Sequence, residues 1–212
     1  MMVGTLRPVA AEGAHAPRRC GRPRRTHLCT NRRLVKIVGR GGSAAVTVAA
    51  GSNMAGTSAL ELHAVDIDRE NFAPFGQVIS PQSDGEHFGE TDAKLVLDQG
   101  VPRFYIMRLE KRGLSFGTIV HHAKVTQCLG STQGYAWYMA VASSSVTTPS
   151  MENMRAFRIP PGVFIKLHCG TWHAGPLFDT PQDMDFANLE LSDTNVTDFN
   201  CFDFGESIAI RP

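Results

Sequence analysis

Short runs of alternating apolar and polar residues, punctuated by glycine and proline, fill most of this chain. Leu60, Leu62 and Val65 mark a first strand. Asp68–Gly76 then predicts a single helical turn, with Asp68 as its cap, Pro74 interrupting it and Gly76 ending it. A strand resumes over Gln77–Ser80, and the polar residues 81–93 predict a loop. Within Arg103–Leu109, Phe104, Ile106 and Arg108 alternate with Arg103, Tyr105 and Met107. Further strands are predicted over Thr118–His122, Lys124–Leu129, Tyr135–Ala142, Arg155–Ile159, Val163–Leu167, Pro176–Phe178, Met184–Leu191 and Ser207–Ile210. Tyr135, Trp137, Met139 and Val141 share one face of their strand. Residues 143–154 predict a flexible connection between two β blocks. Many short strands with regular turn signals specify an all-β sandwich or barrel over residues 60–212, with one or two short helices at most.

Charge divides the chain differently. Residues 1–60 hold ten Lys or Arg and one acid, Glu12, whereas the rest holds eleven Lys or Arg and nineteen Asp or Glu. We therefore separate residues 1–59 as a basic, acid-poor, disordered leader. No apolar stretch follows Arg18, Arg19, Arg22, Arg24 and Arg25, which argues against a secretory signal, and the basic, acid-poor composition is that of an organelle transit peptide. An upstream start ahead of a true one at Met54 has similar weight, and a basic arm has less. The expected location is plastid or mitochondrion with a real leader, and cytoplasm with a start at Met54. The acidic body argues against nucleic acid as a partner. No run of eighteen apolar residues occurs, so no membrane span is expected.

Two segments concentrate the reactive side chains. One runs from His121 and His122 through Gln127 to Gly134; the other runs from Gly162 through Lys166, His168, Gly170 and Trp172 to His173. This arrangement resembles the cupin superfamily, whose first motif is G-x5-H-x-H-x3–4-E-x6-G and whose second is G-x5-P-x-G-x2-H-x3-N. His122, Gln127 and Gly134 match the second His, Glu and Gly of the first motif. Gly162, Gly170 and His173 match the second motif. The resemblance implies a double-stranded β-helix, a jelly-roll barrel, that encloses one small ligand. It also implies a divalent-metal site at His122, Gln127 and His173. That site is weakened, because Val120 stands where the first His belongs and Gln127 has replaced the Glu. No cofactor is therefore firmly expected. The competing reading of these histidines is neutral, hydrogen-bonded core residues.

Longer strings narrow the resemblance. Asn71-Phe-Ala-Pro-Phe-Gly-Gln-Val-Ile79, His122 with Thr126-Gln127, Arg155-Ala-Phe157, His168 with Trp172-His173, Pro176-Leu-Phe178 and Asp185-Phe186 are similar to the ureidoglycolate lyase family in order and content. That family splits ureidoglycolate into glyoxylate and urea during allantoin and purine breakdown. The implied partners are a small anionic substrate and a second copy in a homodimer. The alternatives are a divergent cupin acting as a metal-dependent oxygenase or isomerase, and a non-enzymatic cupin that binds a metabolite. The reaction needs a base for the hydroxyl proton, an acid for the departing nitrogen and a holder for the carboxylate. Histidine suits the proton work. His168 or His173 is the expected base or acid, with His122 as partner and Gln127 donating to the substrate. Arg108, Arg103 and Lys166 are candidates for the carboxylate. Arg108 would point with Phe104 and Ile106 into the core, as a clamp or as the partner of Asp185 or Glu190.

Overall fold

The computed structural model describes residues 60–212. The leader expected over residues 1–59 lies outside the described residues. Eleven strands and two one-turn helices follow one another: β1 Leu60–Asp66, α1 Arg69–Phe72, β2 Gly76–Ile79, β3 Pro102–Leu109, β4 Ser115–His121, β5 Gln127–Ser131, β6 Trp137–Ala142, β7 Met154–Ile159, β8 Phe164–Leu167, β9 Trp172–Leu177, β10 Met184–Leu191, α2 Thr194–Thr197 and β11 Asn200–Arg211. No helix among them is long and apolar enough to cross a membrane.

The strands divide between two sheets. Six close on themselves in the order β1-β11-β4-β9-β6-β7, because β1 runs parallel to β11 along its first half and parallel to β7 along its second. The other five form an open sheet in the order β2-β8-β5-β10-β3. This is the barrel the strand pattern predicted. One apolar cluster joins the sheets through Trp137, Met139 and Val141 of β6, Phe157 and Ile159 of β7, and Ile165, Leu167 and Phe186 opposite them. A second lies on the other side of the six-stranded sheet, where Ile119, Ala140, Ala142, Ala156, Ile208 and Ile210 meet. Both faces of β6 are therefore buried. The inter-sheet core is aromatic: Phe72 packs edge-on against Phe157 at 5.3 Å, and Trp137 does so against Phe186, also at 5.3 Å. Truncating a ring such as Phe157 costs about 3–5 kcal/mol.

Local chemistry explains the element ends. Asp68 caps α1 by accepting from the Glu70 and Asn71 amides, while Asn71 Oδ1 accepts from the Asp68 amide, a reciprocal capping box. The helix stops at Phe72, and Gly76 opens β2 instead of closing the turn. A Cβ on Gly76 would sit 2.0 Å from the Lys166 carbonyl oxygen of β8, so only glycine allows this approach. Residues 143–153 are better fixed than expected, since Trp172 Nε1–H donates to the Val146 carbonyl at 2.8 Å and Asn153 Oδ1 accepts from the Ser150 amide.

One expectation reverses. Phe104, Ile106 and Arg108 of β3 face outward, with Phe104 70% and Ile106 54% exposed, while Tyr105, Met107 and Leu109 face the opposite sheet. β3 carries apolar residues on both parities, so alternation alone gave no sign of which face turns inward.

Candidate active site

The inward faces of the two sheets are not apolar throughout. On β10, Phe186 packs in the core, and two and four residues on the same face presents Asn188 and Glu190, both 1% exposed. On β5, Leu129 belongs to the core and Gln127 does not. Where the core ends, a cavity of about 550 Å³ opens between β3, β5 and β10 on one side and β4 and β9 on the other.

β9 supplies one imidazole, and the residue that follows β4 supplies the other. Val120 pairs with His173 across the two strands, and alternation along β4 turns Val120 and His122 away from the buried Ile119. The His122 and His173 ring centroids lie 5.3 Å apart. His122 Nδ1 stands 2.7 Å from the Asp198 carbonyl oxygen, and His173 Nδ1 stands 3.1 Å from that of Thr171. A carbonyl only accepts, so each Nδ1 carries the hydrogen, which in the neutral ring leaves the lone pair on Nε2. Asp198 fixes the turn after β4 as well, its carboxylate accepting from the Ala123 and Lys124 amides at 3.0 and 2.8 Å. Complete burial, reinforced by the neighbouring His122, pushes the proton affinity of His173 down to a pKa of about 3.

Facing the imidazoles is a chain of polar side chains. Tyr105 donates its hydroxyl hydrogen to Glu190 Oε1 at 3.2 Å and accepts from Asn188 Nδ2 at 3.0 Å. Gln127 Nε2 donates to Asn188 Oδ1 at 3.1 Å and to Glu190 Oε2 at 3.0 Å. Asn195, just inside α2, donates to Glu190 Oε1 at 3.3 Å. The network contains no cation. The cavity's cation is Arg112, at the mouth, in the turn between β3 and β4. Its Nη1 donates to the Pro176 carbonyl at 3.2 Å, and partial desolvation lowers its pKa. Among the described residues no carboxylate pairs with it. The wall beside it bulges where the β6–β9 register shifts. Gly175 sits there at φ +139°, a conformation that suits glycine.

Of the residues singled out from the sequence, His122, Gln127 and His173 come together in this cavity. His168 does not line it. It borders a narrow gap behind the pair, where its Nδ1 accepts from Lys166 Nζ at 2.8 Å and its Nε2–H donates to the Ala73 carbonyl at 3.2 Å. Burial and the nearby Lys166 lower its pKa. Lys166 alternates with the core residues Ile165 and Leu167, so its buried side chain leaves the sheet on the far side from the cavity. Arg108 lies outside as well, 72% exposed and held in a two-bond fork by Asp185, with 2.8 Å for each bond. Its pairing with Asp185 was one of the expected outcomes; its inward direction was not. Arg103 lies over the Tyr105 ring at 3.7 Å, beyond the cavity lining. The sequence reading did not single out Tyr105, Asn188, Asn195 or Arg112. It considered Glu190 only as a partner for Arg108, which the opposite strand face prevents. A usable signal existed in β10, since Asn188 and Glu190 occupy positions in phase with Met184 and Phe186.

A divalent metal fits this site poorly. His122 and His173 offer two nitrogen ligands, and Gln127 offers a weakly donating amide oxygen. Glu190, the carboxylate among the cavity-lining residues, has both oxygens occupied by donors, and the Asp198 carboxylate is taken up by the Ala123 and Lys124 amides. Among the described residues no three His, Cys, Asp or Glu side chains converge as a metal would require.

Comparison with curated proteins gives no match. The ureidoglycolate lyase family profile matches residues 59–211, which spans all the strands and every cavity residue described above.

Proposed function

We propose how this cavity works from one premise: the chain belongs to the ureidoglycolate lyase family. It is a lyase that cleaves ureidoglycolate to glyoxylate and urea. Neither an oxygenase or isomerase reaction nor a purely binding role finds support in the comparisons. The single observation that carries the assignment of residues is the His122–His173 pair, two imidazoles whose Nδ1 hydrogens are committed to backbone carbonyls.

In the reaction the substrate hydroxyl loses its proton while its oxygen forms the new carbonyl. The C–N bond breaks, its electron pair stays on nitrogen, and that nitrogen takes up a proton. The net change is one proton moved from oxygen to nitrogen. A free Nε2 lone pair collects it, and the imidazolium so formed returns it to the departing nitrogen. Burial of His173 makes a lasting imidazolium unfavourable, which favours delivery. Arg112 takes the carboxylate role first considered for Arg108, Arg103 and Lys166, because it lines the cavity and no carboxylate among the described residues pairs with it. The guanidinium fork matches a carboxylate. The substrate then lies with its carboxylate at the mouth and its hydroxyl and ureido groups inward. The reaction serves purine breakdown through allantoin.

The chain also forms a homodimer in this reading. What supports it is β3, an eight-residue edge strand whose outward Phe104 and Ile106 are exposed.

The test of the site is steady-state release of glyoxylate and urea. His122→Ala and His173→Ala should each lower kcat at least about 100-fold, the usual scale of lost proton transfer, with folded β-sheet retained by circular dichroism. Undiminished kcat in either variant removes the pair from the mechanism.

A further inference from the structure

The polar chain opposite the imidazoles has a direction. Glu190 can only accept as a carboxylate, so Tyr105 must donate to it. Tyr105 has then spent its hydrogen, and its oxygen must accept from Asn188 Nδ2. That turns Asn188 Oδ1 toward Gln127, whose Nε2 gives one hydrogen to Asn188 and the other to Glu190. Every amide orientation follows from the carboxylate at one end. At the other end Gln127 Oε1 is left buried without a hydrogen-bond partner, on a residue that lines the cavity. A buried acceptor without a donor is costly, and a ligand in the cavity that Gln127 lines can supply the missing hydrogen.

We infer that Gln127 Oε1 accepts a ureido N–H of the substrate, and that Glu190, acting through Tyr105 and Asn188, is the positioning residue that keeps this acceptor turned toward the ligand. The inference rests on the cavity being the ureidoglycolate site and names what that site selects: a small carboxylate bearing N–H donors. An ester of the same shape leaves Gln127 unpaired and is rejected.

Two probes that lack the α-hydroxyl, and so cannot be cleaved, isolate this contact. N-Carbamoylglycine carries ureido hydrogens, and O-acetylglycolate replaces the donor groups with oxygen and methyl at nearly the same shape. By calorimetric titration the unaltered protein should bind the first at least about tenfold more tightly, the scale of one buried acceptor left unmatched. In Glu190→Gln the new amide can itself donate. The chain then reverses, Gln127 presents its NH2, and the preference falls below about threefold. Tyr105→Phe frees Asn188 to turn and should narrow the preference too, so it carries the test if Glu190→Gln fails to give a β-sheet spectrum. Equal binding of the two probes by the unaltered protein overturns the inference, as does a full preference in the folded variants. Preference without turnover of ureidoglycolate would instead overturn the reaction and leave the donor-reading site standing. Turnover without preference would do the reverse.

Discussion

His173 ties the chemistry of the cavity to the stability of the fold. Burial holds its pKa at about 3, whereas an unfolded chain gives histidine about 6.5. Between those two values the unfolded state binds a proton that the folded state refuses, so stability rises with pH across the window and is lost as pH falls. The stabilisation is fully present above about pH 6.5. From pH 7 to pH 5 the unfolded chain goes from about one-quarter to nearly fully protonated at this position, which integrates to about 2 kcal/mol at roughly 1.4 kcal/mol per proton per pH unit. His173→Gln keeps a polar side chain of similar reach and removes the titration. Urea unfolding at pH 7, 6 and 5 should show the unaltered protein losing about 2 kcal/mol more than the variant over that interval. Comparing the two proteins cancels the contributions of His121 and His168, whose pKa values burial also lowers. Parallel pH profiles would mean that His173 titrates normally in the fold. The neutral-imidazole mechanism would then lose its premise.

Two further outcomes test other parts of the structure. Arg112→Gln should raise KM for ureidoglycolate about 10- to 100-fold with kcat within about threefold, as expected for a lost charge-assisted carboxylate contact. Arg108→Gln should change neither by more than about twofold, and a larger loss there than at Arg112 would reverse the assignment. The double substitution Phe104→Asp and Ile106→Asp should halve the solution mass measured by light scattering, because it places charge on the apolar face of the β3 edge. A monomeric unaltered protein, or a dimer that survives the change, would refute the proposed interface.

The sequence disclosed the barrel because strand alternation is a local property. β10 and β6 lie where apolar periodicity put them, and the helix cap at Asp68 depends on neighbours no more than three residues away. It disclosed the imidazole pair because motif spacing is also local, with His122 and Gln127 five residues apart. It did not disclose what depends on contacts between distant strands. β5 begins at Gln127 and not at Lys124, because the chain just before it is drawn to Val96 and Asp198 by Thr126 and the Lys124 amide. Arg112 sits in a turn, outside any periodic run, and its role appears only when Pro176 is brought beside it. Lys166 looked available as a cation, but strand parity sends it to the far face of the sheet.

The distribution of donors and acceptors explains why one cavity can both hold the substrate and let its fragments go. The inner end offers acceptors: two Nε2 lone pairs and Gln127 Oε1, with Glu190 behind them. The mouth offers a cation. In the proposed site ureidoglycolate matches both ends: its hydroxyl and ureido hydrogens would meet the acceptors while its carboxylate meets Arg112. Cleavage divides these contacts between two molecules. Glyoxylate keeps the carboxylate but has given up its hydroxyl hydrogen, so nothing on it satisfies the inner acceptors. Urea keeps the hydrogens but has no charge for the guanidinium. Each product retains about half of the recognition that held the intact substrate, and the entropy of two separate molecules favours their departure. Binding strength concentrated on the uncleaved molecule, with no single group carrying most of it, is what a lyase needs to avoid being trapped by its own products.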